Sequence, residues 1–90
     1  MQRITIIVHG QVQGVGYRYT THLEAAKLGL TGYVHNCPDG TVEIVAEGET
    51  ATLQTLLDWA KIGPAAAQVT QTEVTWAEAT EDFAAFTIKR

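Results

Sequence analysis

The sequence predicts an α+β sandwich: a four-stranded antiparallel sheet, a short extra strand at the C-terminal end, and two helices on one face. Three observations predict it. The apolar period switches between about two and about 3.6 residues along the chain, giving the order β-α-β-β-α-β. A glycine-rich loop, Gly10 to Arg18, joins the first strand to the first helix. Pro38-Asp39-Gly40 is a tight turn between two strands, because proline presets one dihedral and glycine accepts a positive φ.

Each element has a local reason. Arg3 to His9 alternates Ile4, Ile6 and Val8 with Arg3, Thr5, Ile7 and His9, a strand with one apolar face. Arg18 to Leu28 reads as a helix on which Tyr19, Leu23 and Ala26 share a face, and Gly29 stops it. Thr31 to Asn36 and Thr41 to Glu47 are the hairpin strands, the latter alternating Val42, Ile44 and Ala46 with Glu43 and Glu47. Thr50 to Lys61 places Leu53, Leu56, Leu57 and Ala60 at helical spacing and ends at Gly63-Pro64. Val69 to Ala77, rich in Thr and Val, is a strand, and Phe83 to Lys89 is a final short one. Two interleaved split β-α-β units of this order form a ferredoxin-like sandwich.

In that topology strands one and two run in the same direction with strand three between them. Their C-terminal ends share one sheet edge, separated by about 10 Å. The glycine loop follows strand one and Asn36 ends strand two. The topology therefore brings Asn36 within reach of whatever the loop holds.

The loop is suited to hold an anion. Glycines let N–H groups converge without side chains in the way, and a helix N-terminus adds unpaired donors and partial positive charge. Arg18 adds a permanent charge with a forked donor array. Taken singly, the glycines are turn chemistry, Arg18 is a surface ion-pair partner and Asn36 is a turn residue ahead of Pro38. Their conjunction on one sheet edge favours a site for a phosphate-like anion, in a gap that an arginine side chain, a phosphate and one water could fill.

Composition narrows the classes. The 90 residues, 46% hydrophobic, make one domain spanning 1–90. Cys37 is the sole cysteine, so no internal disulfide and no multi-cysteine zinc site forms, which fits a reducing, cytoplasmic setting. Met1 to Thr5 shows no signal-peptide pattern, and no apolar run reaches membrane-spanning length, so no membrane partner is expected. The net charge of −4 opposes a nucleic-acid partner. RNA binders of this topology need aromatic residues on the middle strands, whereas Thr41 to Glu47 has none and carries two glutamates. His9, His22 and His35 raise a metal site, with His9 and His35 at neighbouring strand ends, but His22 is mid-helix and the three are not expected to converge. Cys37 reads as a small packed thiol, Trp59 and Trp76 as packing residues, and Glu43, Glu47, Glu49 and Asp58 as solvated faces.

Two long blocks carry a family resemblance. Val8-His9-Gly10-Gln11-Val12-Gln13-Gly14-Val15-Gly16-Tyr17-Arg18 and Gly32-Tyr33-Val34-His35-Asn36-Cys37-Pro38-Asp39-Gly40-Thr41-Val42-Glu43 resemble the acylphosphatases, with weaker echoes at Gly63-Pro64 and Phe86-Thr87-Ile88. The resemblance covers the whole chain. It implies hydrolysis of a small-molecule acyl phosphate to a carboxylate and inorganic phosphate, with no metal, no cofactor and no phosphoenzyme. It implies that Arg18 binds phosphate, that Asn36 holds the attacking water, and that backbone amides of Gly14, Val15, Gly16, Tyr17 and Arg18 form the cradle. Tyr17 stands where the family commonly has phenylalanine, so its hydroxyl is expected in solvent or bonded near the loop. A monomer is expected. The alternative is a noncatalytic phosphate-binding or regulatory module on the same fold. A domain of a larger hydrogenase-maturation protein is disfavoured, since no zinc-finger cysteines follow before Arg90.

Overall fold

Every second residue of β1 (Gln2–Gln11) is apolar from Ile4 to Val8, and Ile4, Ile6 and Val8 are fully buried. The computed structural model describes residues 1–90. After β1 come α1 (Tyr17–Lys27), β2 (Thr31–Asn36), β3 (Val42–Gly48), α2 (Thr50–Ala60), β4 (Gln68–Glu78) and β5 (Phe86–Ile88). The sheet order is β4-β1-β3-β2-β5. β3 is antiparallel to both β1 and β2, so β1 and β2 run in the same direction on either side of it. α2 packs on β1 and β3, and α1 on β2 and β5. Leu53, Leu56 and Leu57 of α2 are buried in the core with Ile44 and Val42 of β3. Burial of each such leucine contributes about 1.5–3 kcal/mol.

The expected four-stranded antiparallel sheet is present as β4-β1-β3-β2, and the structure adds one detail and changes three. First, the extra strand joins the β2 edge: β5 pairs in parallel with β2, with Gly32 opposite Phe86 and Val34 opposite Ile88. Phe83, expected in that strand, lies ahead of it. Periodicity reveals that a strand exists, but not which edge it joins.

Second, α1 buries the other face. Tyr17, Thr21 and Ala25 face the core, while Tyr19 and Leu23 are 61% and 47% exposed and Ala26 is exposed. Both sets have helical spacing, and the set that wins contains a threonine. Its hydroxyl donates to the Tyr17 carbonyl at 2.7 Å, so burial leaves it paired.

Third, Gly10 belongs to β1 and not to an anion cradle. It sits at a β-bulge against β4 with φ 122°, and a Cβ there would meet the Gln68 carbonyl oxygen at 2.0 Å. The bulge turns the chain off β3: the β1–β3 ladder ends at Val8–Val42, and Gly10 and Gln11 pair only with β4.

Fourth, Glu47 is not solvated. The segment 79–85 runs from β4 at one sheet edge to β5 at the other, and Phe83 packs on Tyr33 and beneath the Arg3 guanidinium. Glu47 is 1% exposed. It accepts hydrogen bonds from Arg3 Nε (2.8 Å), Thr80 N (2.9 Å), Thr80 Oγ1 (3.3 Å) and Glu81 N (3.0 Å). Burial alone would raise its pKa, but these donors together hold it below the usual carboxylate range.

Candidate active site

Past the bulge, the chain rounds a loop and enters α1 at Gly16, which caps the helix in the left-handed region at φ 78°. A side chain there is strained by backbone geometry, although the space around it is open. Gly16 supplies no side-chain cap, and its carbonyl accepts both the backbone N–H and the hydroxyl of Thr20. The first-turn donors of α1 therefore find no protein acceptor, nor do the N–H groups of Gly14, Val15 and Gly16. These amides are the ones expected to form the cradle.

Arg18 and Asn36 line one open cleft of about 260 Å³ with Gly14, Gly16 and Tyr17. The topology produces this meeting, because the loop leaves β1 and Asn36 ends β2 on the same sheet edge. Arg18 Nη1 donates to the Lys89 carbonyl at 3.3 Å. That single neutral acceptor leaves most of the guanidinium's donors free. Asn36 Oδ1 is buried without a protein partner. Leaving a buried oxygen unpaired costs about 1–3 kcal/mol, so such an atom marks a place for water or ligand.

Several neighbours were not singled out from sequence. Because β5 is parallel to β2, its C-terminal end points to the same edge, and Ile88 and Arg90 line the cleft. Tyr19, left outside the core, lines it too. No sequence signal identifies Ile88 or Arg90, since their arrival depends on the edge that β5 joins.

Other expected residues lie elsewhere. The Tyr17 hydroxyl is neither in solvent nor at the loop: it donates to the Ala60 carbonyl at 2.7 Å, at the end of α2. Burial pushes the phenol pKa well above its ordinary value. Trp59 is half-buried against the Tyr17 ring, with centroids 5.4 Å apart, whereas Trp76 is 38% exposed on β4. Asp39 is committed to its own turn, accepting from Thr41 Oγ1 at 2.6 Å and Thr41 N at 3.0 Å. Those bonds hold its carboxyl below the usual range. His9 pairs with Glu73, His35 with Glu43, and His22 packs near Phe86. Glu43 is thus half-buried in a hydrogen-bonded contact with His35 across β2 and β3 and not simply solvated.

Known proteins of similar sequence and fold identify the family. The acylphosphatase family model matches residues 4–88. The chain is 49% identical over 84 residues to an acylphosphatase of Acaryochloris marina, covering 93% of this chain and 89% of the relative. It is 44% identical over 90 residues to one of Methylococcus capsulatus, covering 100% and 98%. The crystal structure of an acylphosphatase from Bacillus subtilis superposes with a TM-score of 0.96 at 42% identity, covering all of both chains. A family match across nearly the full length, with relatives covered almost end to end, establishes that this chain belongs to the acylphosphatase family.

Proposed function

We propose that this acylphosphatase, which hydrolyses acyl phosphates to a carboxylate and inorganic phosphate, works by direct attack of water on phosphorus. The free amides of Gly14, Val15, Gly16, Tyr17 and Arg18 and the Arg18 guanidinium bind the phosphoryl oxygens. Asn36 holds the water. Its unpartnered Oδ1, in the cleft that Arg18 lines, is the observation that carries this reading.

The chemistry needs little more. The leaving group is a carboxylate, stable without a general acid, so charge and orientation dominate the barrier. The water oxygen bonds to phosphorus as the P–O bond to the acyl group breaks, and the carboxylate departs with that electron pair. Asn36 is no base, but its Oδ1 accepts a hydrogen bond from the water and aims it. The proton passes to a phosphoryl oxygen. Each preorganised donor contributes about 3–4 kcal/mol to stabilising the developing charge. The cleft is open, with Tyr19, Ile88 and Val12 beside the phosphate position, which supports acceptance of varied acyl groups. We place residues 1–90 together as the working unit, acting as a monomer in the cytoplasm.

Phosphate release from a small acyl phosphate in the presence of a chelator tests the reading. Release well above the spontaneous rate is expected, and none would overturn it. Arg18→Ala should lose both turnover and affinity for inorganic phosphate. Asn36→Ala should keep phosphate affinity and lose turnover, and normal turnover in that variant would remove the water-holding role.

A further inference from the structure

The sheet itself does not fix the distance between the phosphate loop and Asn36. Both strands that carry them lose contact with β3 at the same residue: β1 at Val8–Val42 and β2 at Asn36–Val42. Beyond that point β1 bends toward β4 at the bulge, while β2 enters the turn 37–41. No ladder hydrogen bond spans the opening between them.

One side chain does. Gln13 Nε2 donates to the Cys37 carbonyl at 2.8 Å and to the Thr41 carbonyl at 2.9 Å. Cys37 directly follows Asn36, and Thr41 directly precedes Val42. The turn is already closed on itself by Cys37 N to Thr41 O (2.8 Å) and by Asp39 on Thr41. The single amide group thus uses both its N–H bonds on the two ends of a rigid turn. Gln13 is exposed and only its bond to Thr41 is part-buried, so the two hydrogen bonds contribute little to overall stability.

We propose that Gln13 is a positioning residue: its side-chain amide ties the phosphate loop to the turn after Asn36 and so sets the span between the bound phosphoryl group and the attacking water. This rests on the assignment of phosphate to the loop and water to Asn36. Gln13 touches neither substrate nor water and acts through Asn36.

The test is a double-mutant cycle. Gln13→Met keeps length and removes both donors, and Gln13→Asn keeps the amide but is too short to reach both carbonyls. Either variant should lower kcat about 10- to 100-fold, the loss expected from misplacing a reacting group by about 1 Å. The dissociation constant for inorganic phosphate and the urea midpoint should change little, by less than about threefold and within ordinary surface-variant scatter. In an Asn36→Ala background the same substitution should lower the residual kcat, read as phosphate release above the spontaneous rate at high enzyme concentration, by less than about twofold, because the coupled partner is already gone. Equal losses in both backgrounds, a loss carried by phosphate affinity, or unchanged kcat would each overturn the proposal. If Asn36→Ala alone turned over normally, the water assignment would fail, a result separate from any of these. If Gln13→Met does not fold, Gln13→Asn carries the same comparison.

Discussion

The two ends of this sheet treat polar groups in opposite ways. At one end, where β1 and β2 finish, Asn36 Oδ1 is buried and unpaired, and the loop amides and the Arg18 fork have few protein acceptors. At the other end the Glu47 carboxylate is as deeply buried but receives four hydrogen bonds. The difference separates stability from function. Saturated polar groups hold the chain together, whereas unsaturated ones store binding capacity at a cost in stability. The Glu47 end also serves the site: it pins the segment that delivers β5, and β5 carries Ile88 and Arg90 to the cleft.

The largest effect should come at the unsaturated end. Arg18→Ala should reduce kcat/KM by about 10²–10³-fold or more, measured as phosphate release. Asn36→Ala should leave unfolding free energy unchanged or raised by up to about 1 kcal/mol, since it removes an unpaired buried oxygen. A loss above that in urea titration would break the contrast, by showing the oxygen paired within the fold.

At the saturated end the expected signs reverse. Glu47→Gln should cost about 2–3 kcal/mol of unfolding free energy, since charge-assisted bonds to Arg3, Thr80 and Glu81 are lost. For a domain of this size each kcal/mol lowers the thermal midpoint by roughly 4–8 °C. The folded pKa of Glu47 lies below its unfolded value, so its contribution is complete above about pH 4.3 and is lost as pH falls through the folded pKa. The gap between the native chain and Glu47→Gln should therefore close in acid. A gap constant to low pH would show that packing, and not ionisation, is what Glu47 supplies.

Smaller effects sharpen the picture between the two ends. Gly10→Ala should cost at least about 2 kcal/mol, since the new Cβ overlaps the Gln68 carbonyl and the φ is disfavoured. Tyr17→Phe should cost about 1 kcal/mol, the worth of its bond to Ala60. A much smaller loss at Tyr17 would mean that water replaces the phenol at the end of α2.

By itself the sequence determined the order of elements, the hairpin at Pro38-Asp39-Gly40, the loop ahead of α1, and the approach of Asn36 to Arg18. These follow from local chemistry: periodicity, the dihedral needs of proline and glycine, and the handful of topologies open to that order. Tertiary structure decided which face of α1 is buried, where the Tyr17 hydroxyl bonds, which edge β5 joins, that Glu47 is enclosed, and that Gln13 spans to the turn after Asn36. Each of those depends on partners 24 or more residues away, apart from the burial of α1, where two faces of equal spacing compete. A polar side chain carries no mark of whether a distant donor will meet it, and only the packed chain supplies that donor.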